Sequence, residues 1–174
     1  MHTLIQIQKS NRYTLGLIVI SAAVLLPILI HLIPPVNGIP MGAYLLPMFY
    51  IPLISLLIFG RKIALIVAAL APVLNFLLVG NSNWGLMAVL TLELLVFTFV
   101  GSLLIKTKFK MLLALIALIM AKLISAVFIG FMDVLPVTPF AYFQESFINA
   151  LPGLMILLLI TFYILKNKQK FPQS

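Results

Sequence analysis

The chain of 174 residues contains no cysteine, one tryptophan and three acidic residues. The missing cysteine rules out a disulfide framework, a thiolate metal site, a thiol nucleophile and a redox motif. The shortage of charge excludes still more. Only 8% of residues are charged, against about 25% in a typical soluble domain, so the chain has too little polar surface to present to water. No GxSxG, HExxH or P-loop pattern occurs, and the two histidines, His2 and His31, are too few for a metal site. One carboxylate, Glu93, falls deep inside an apolar run, with no second acid at its depth for paired-acid chemistry. These absences speak against an enzyme, a resident cofactor or metal, and ATP-driven transport by this chain alone.

What is present is apolar sequence, 64% of the chain, with a mean hydropathy of +1.26. A spanning helix takes about 20 residues, and the long apolar runs lie at about 13–33, 43–59, 63–79, 86–105, 111–131 and 147–165. They are continuous rather than alternating, which excludes a β-barrel. The first is too long for the core of a signal peptide and lacks a small-residue cleavage site. The expected fold is all-α, a single integral membrane domain over residues 1–174 with six transmembrane helices. Prolines within the runs, at Pro27, Pro47, Pro52, Pro72 and Pro152, are expected to kink their helices. Small residues four apart, Ala64 and Ala68, then Ala117, Ala121 and Ser125, should let helices approach closely.

The net charge of +8 has a topological explanation. Lys9 and Arg12 precede the first run, Arg61 and Lys62 join the second to the third, Lys106, Lys108 and Lys110 join the fourth to the fifth, and Lys166, Lys168 and Lys170 follow the sixth. The alternate connections, 34–42, 80–85 and 132–146, contain neither Lys nor Arg. By the positive-inside rule both termini are expected in the cytoplasm, making this a multi-pass protein of the cell (inner) membrane. The bilayer, including its anionic inner-leaflet lipids, is then the partner of the basic residues, and nucleic acid is not.

The eleventh basic residue, Lys122, lies inside the fifth run. Counted at 1.5 Å per residue, Glu93 and Lys122 lie roughly 10 Å and roughly 13–14 Å below the outer surface. Charges at that depth need a polar cavity or each other. Asn75, Asn149 and His31 occupy the same outer half, and Asn37, Tyr44, Asn81, Asn83, Trp84, Tyr142 and Glu145 its loops and rim. The inner half offers only hydroxyls, Thr14, Ser21, Ser55, Thr98 and Ser102, which can bond back to their own helices. Such one-sided polarity describes a cup open to the outside rather than a channel. The candidate binding residues are therefore Glu93, Lys122, Asn75, Asn81, Asn83, Trp84, Tyr44, Asn37 and Asn149. Blander roles stand beside this one: a register-fixing ion pair for Glu93 and Lys122, interhelical hydrogen bonds for the asparagines, and an interfacial belt for His31, Trp84, Tyr44, Phe140, Tyr142 and Phe143. The outer connection from Pro34 to Gly42 and the stretch from Asp133 to Pro139 combine stiff and permissive residues suited to capping such a cup.

The stretch Ala71-Pro72-Val73-Leu74-Asn75-Phe76-Leu77-Leu78-Val79-Gly80, with Met87 and Thr91-Leu92-Glu93-Leu94 after a short loop, resembles the third-to-fourth helix region of substrate-binding S components of energy-coupling factor (ECF) transporters. Where that family often has Gly-Met-Pro, this chain reads Gly80-Asn81-Ser82; the family's Ala-x-x-x-Ala docking pattern is not reproduced at Ser21-Ala22-Ala23. The resemblance implies a vitamin-uptake subunit that captures its ligand from outside and works with a coupling membrane subunit and cytoplasmic ATPases. Asn75, Gly80 and Glu93 are the positions matching the motif. The competing reading is a structural membrane scaffold of the cell-wall elongation type without a ligand, which gives no reason for polar residues to gather at one depth.

Overall fold

A computed structural model describes residues 2–80 and 83–167. All its regular structure is helical: α1 (His2–His31), α2 (Met41–Leu45), α3 (Pro47–Phe59), α4 (Arg61–Val79), α5 (Trp84–Leu104), α6 (Leu113–Met132), α7 (Pro139–Asn149) and α8 (Leu151–Lys166), with one turn of 3₁₀-helix at Lys110–Leu112. Among the described residues four stretches are long and apolar enough to cross a membrane, Met41–Phe59, Arg61–Val79, Trp84–Leu104 and Lys110–Met132, and α7 with α8 makes a fifth if the pair counts as one bent span. Within the described residues of α1, Leu17–His31 is a shorter apolar helix. Large apolar side chains are exposed around the bundle, Leu17, Leu29, Leu77, Val127, Leu159 and Phe162 among them. A multi-pass membrane protein is built this way, because lipid tails solvate such a surface and water does not.

Two of the expected spans are interrupted. The second breaks at Leu46, which adopts the left-handed conformation (φ 52°, ψ 45°) between α2 and α3. Pro47 is the cause: its ring disfavours helical geometry at the preceding residue, and it has no N–H to donate. The break leaves Leu45's carbonyl without its helical partner, because Phe49 N–H bonds Leu46 O instead (3.0 Å), and the Tyr50 hydroxyl donates to it. The sixth span is preceded by a helix where a connection was expected. Thr138 accepts from Ala141 N–H (3.3 Å) to start α7, and α7 meets α8 at a bend of 58°. Pro47, Pro139 and Pro152 thus stand in the first turns of α3, α7 and α8, where the missing donor has little cost. Only Pro27, Pro52 and Pro72 lie inside helices, so the kinks expected at Pro47 and Pro152 are helix starts.

The core lies between α3, α5, α6 and α8, with Phe49 and Phe97 edge to face at 5.1 Å. Ala64, Ala68, Ala117, Ala121 and Ser125 are all fully buried, as small residues at close helix approaches should be. Of the inner hydroxyls, Ser102 bonds back to Phe99 O (2.6 Å), whereas Ser55 and Thr98 are buried without a partner. The α2–α3 break rests on α8: a Cβ on Gly153 would lie 2.6 Å from both the carbonyl carbon and oxygen of Leu45. Gly153→Ala should therefore lower stability by about 1–3 kcal/mol through overpacking, measured as the thermal unfolding midpoint in detergent. An unchanged midpoint would mean that the break moves aside freely.

Candidate functional site

The apolar helices position one polar cluster. Glu93 lies nine residues into α5 and Lys122 ten residues before the end of α6, so at 1.5 Å per residue both sit about 14–15 Å from the same end of the bundle. α5 packs more extensively against α6 than any other pair of helices pack together, and the two side chains meet. Lys122 Nζ lies 2.9 Å from each carboxylate oxygen of Glu93. The third member comes from α7: Tyr142 donates its hydroxyl to Glu93 Oε1 at 2.5 Å, and the Lys122 ammonium stands 5.6 Å from the centre of its ring. Glu93 is fully buried and Lys122 only 5% exposed. Two charge-assisted hydrogen bonds, a second close ion-pair contact and a cation–π contact satisfy a pair that would otherwise be costly to bury.

Above this cluster opens a cavity of about 270 Å³. One wall is α5, contributing Leu86, Leu90 and Glu93 at helical spacing; another is α7, contributing Tyr142, Ser146 and Asn149 at the same spacing. The remaining wall is His31 at the end of α1 with the α2–α3 break. His31 packs so closely on α2 that a Cβ on Gly42 would lie 2.6 Å from its ring. Its Nδ1 is 2.7 Å from Pro27 O; a carbonyl can only accept, so Nδ1 carries the proton. Glu93 is buried at the edge of the cavity, its carboxylate held by Lys122 and Tyr142. The cavity lies at the end of the bundle opposite Arg61, Lys62, Lys106, Lys108, Lys110 and Lys166.

The candidate residues separate into three groups. Glu93, Lys122 and Asn149 line this cavity, and Asn75 lines a smaller neighbouring one of about 100 Å³ while donating to Val24 O at 3.2 Å. Asn83, Trp84, Tyr44 and Asn37 line neither. Asn83 caps α5, accepting from Leu86 N–H at 2.9 Å, and the Trp84 ring rests on Phe76 at 5.0 Å. Tyr44 is half-buried on α2, and Asn37 is exposed in the Val36–Ile39 turn with φ 52°. Asn81 lies outside the described residues. Tyr142 and His31, expected at the rim or belt, line the cavity, as does Ser146, which the sequence places at the end of a connection. The spacing of 142, 146 and 149 as i, i+4 and i+7 was a helical signal available in the sequence. Among the described residues no three His, Cys, Asp or Glu side chains gather as a metal site would require.

No model of a known protein family, no curated protein and no solved structure matches the chain.

Removing one partner of a buried ion pair strands the other charge, at a typical cost of about 3–5 kcal/mol. Lys122→Met should cost that much in unfolding free energy, and Glu93→Gln with Lys122→Met should recover most of it. A double variant no more stable than Lys122→Met alone would show that the cluster's stability does not come from the charge pairing.

Proposed function

We propose that this chain is a membrane-embedded binding subunit that takes up a small, vitamin-like molecule from the outer side, of the type represented by ECF S components. The observation that carries the reading is the placement of a buried Glu93–Lys122–Tyr142 cluster at the floor of a cavity on the end of the bundle away from the basic connections. Ligand pockets are commonly apolar concavities of about 300–1,000 Å³ with a few convergent polar groups. At about 270 Å³ this one suits a small compound. A hydroxyl, an amide and an imidazole on its walls, Ser146, Asn149 and His31, supply orientation, while Lys122 supplies a cationic donor for a carboxylate or carbonyl. The function is capture rather than catalysis, and energised release falls to a coupling membrane subunit and cytoplasmic ATPases. On this reading α1 and the bent α7–α8 pair complete six spans with both termini in the cytoplasm.

Two measurements test it. Detergent-purified protein should be stabilised by at least one member of a vitamin panel, by about 2.7 kcal/mol at 100 times the dissociation constant. Glu93→Gln and Lys122→Met should weaken that compound's binding by more than they reduce folded protein; losses in equal proportion would mark the pair as structural, and no stabilisation by any compound would sink the reading. The absence of cysteine makes topology accessible too. Single cysteines at Asn37 and Pro136 should react with an impermeant maleimide on intact cells, and those at Lys62 and Lys108 only after permeabilisation.

A further inference from the structure

α7 runs along the larger cavity from the α6 side of the bundle to the α8 side. Its start rests on α6, where a Cβ on Gly130 would lie 2.8 Å from Pro139 Cγ; its end passes through Ala150 into α8, whose Gly153 abuts Leu45 at the α2–α3 break. The helix turns Tyr142, Ser146 and Asn149 to the cavity. At 1.5 Å per residue they mark out a line of roughly 10 Å. Lys122 stands at the Tyr142 end of that line and Asn149 at the other.

The three side chains differ in what they have left to offer. Tyr142 gives its hydroxyl proton to Glu93, and Ser146 directs its own at Phe143 O (3.4 Å). The Asn149 side chain has no hydrogen-bond partner among the described residues. Its amide carries a carbonyl acceptor and N–H donors side by side, all unspent, so a ligand that pairs with it breaks no bond within the protein. Most of the remaining lining is apolar, with Leu46, Met48, Phe49, Leu86 and Leu90 contributing.

We infer that the cavity recognises an elongated molecule at two points. A carboxylate or carbonyl at one end meets Lys122, and a group presenting donor and acceptor side by side at the other, a primary amide, lactam or urea, pairs with the amide of Asn149; the stretch between them is apolar. This rests on the binding-subunit reading above and names the class of molecule that subunit takes. An amide edge matches Asn149 in both directions at once, whereas a ketone of the same shape accepts from its N–H and leaves its carbonyl unmet. A site arranged to receive a donor discriminates against the analogue that lacks one. Two fixed ends also select a length.

The test uses the native chain and a graded set of probes. ω-Amido acids from succinamate through adipamate to suberamate are each compared with the methyl ketone in which a methyl group replaces the amide nitrogen, by thermal shift and calorimetry, alongside the vitamin panel. Apolar transfer alone would raise affinity by roughly fourfold with each added methylene. Two-point recognition should instead give a maximum at one length, where the amide binds tenfold or more tighter than its ketone. Asn149→Leu should bind the two alike, and Asn149→Gln, one methylene longer, should move the maximum to the next shorter probe. Should Asn149→Leu fail to fold, the native chain and Asn149→Gln still decide. Equal affinity for amide and ketone would overturn the inference, as would a steady rise with length or a preference for the amide that survives Asn149→Leu. In each of these cases dependence on Glu93 and Lys122 would leave the binding-subunit reading standing. Binding of a vitamin with no amido acid bound would likewise overturn the inference and spare that reading, and stabilisation by no compound at all would remove both.

Discussion

A carboxylate buried among leucines has to be matched by donors or it destabilises everything around it. Glu93 is matched by a lysine from one neighbouring helix and a phenol from another, with contacts of 2.5–2.9 Å. Those contacts couple three elements whose surfaces are otherwise alike and greasy. Apolar helix faces slide past one another at little cost; a charged pair at matched depth does not allow α5 and α6 to slip by a turn. Tyr142 extends the same constraint to α7, which would otherwise lie on the bundle through apolar contacts alone.

The two ends of the bundle are built differently as a consequence of where its helices break. At the basic end the joints are short, Gly60 alone between α3 and α4 and a few residues with a 3₁₀ turn between α5 and α6. At the other end proline interrupts two spans, so the backbone departs from a cylinder at Leu46 and at the 58° bend before α8. Helices that bend cannot close on one another, and the cavities lie there. Tyr50 and Gly153 make the first break tolerable, one by supplying a donor to a freed carbonyl and the other by leaving room for it.

Much of this could be read in the linear chain. Apolar runs mark α3 to α6 to within a few residues, whereas α1 begins eleven residues before its run and α7 lies where a connection is expected; counting residues places Glu93 and Lys122 at a common depth. Prolines in an apolar run do not by themselves say whether they lie inside a helix, as Pro27, Pro52 and Pro72 do, or begin one, as Pro47 and Pro152 do, and Leu46 has no sequence feature announcing a left-handed turn. Asn83 and Trp84 are polar and aromatic in the right loop, but capping and stacking occupy them. Tyr142 looked like interfacial belt because the stretch around it read as connection.

The sequence by itself determined that the chain is a set of apolar helices, that its basic residues sit at alternate connections, and that two opposite charges share one level. Those are local properties, additive along the chain, and hydropathy and the 1.5 Å rise are enough to obtain them. Which polar residues converge was decided only by tertiary structure. Convergence depends on the angles at which helices break and cross, and these follow from packing between residues far apart in sequence, such as Gly153 against Leu45 and Asn75 against Val24.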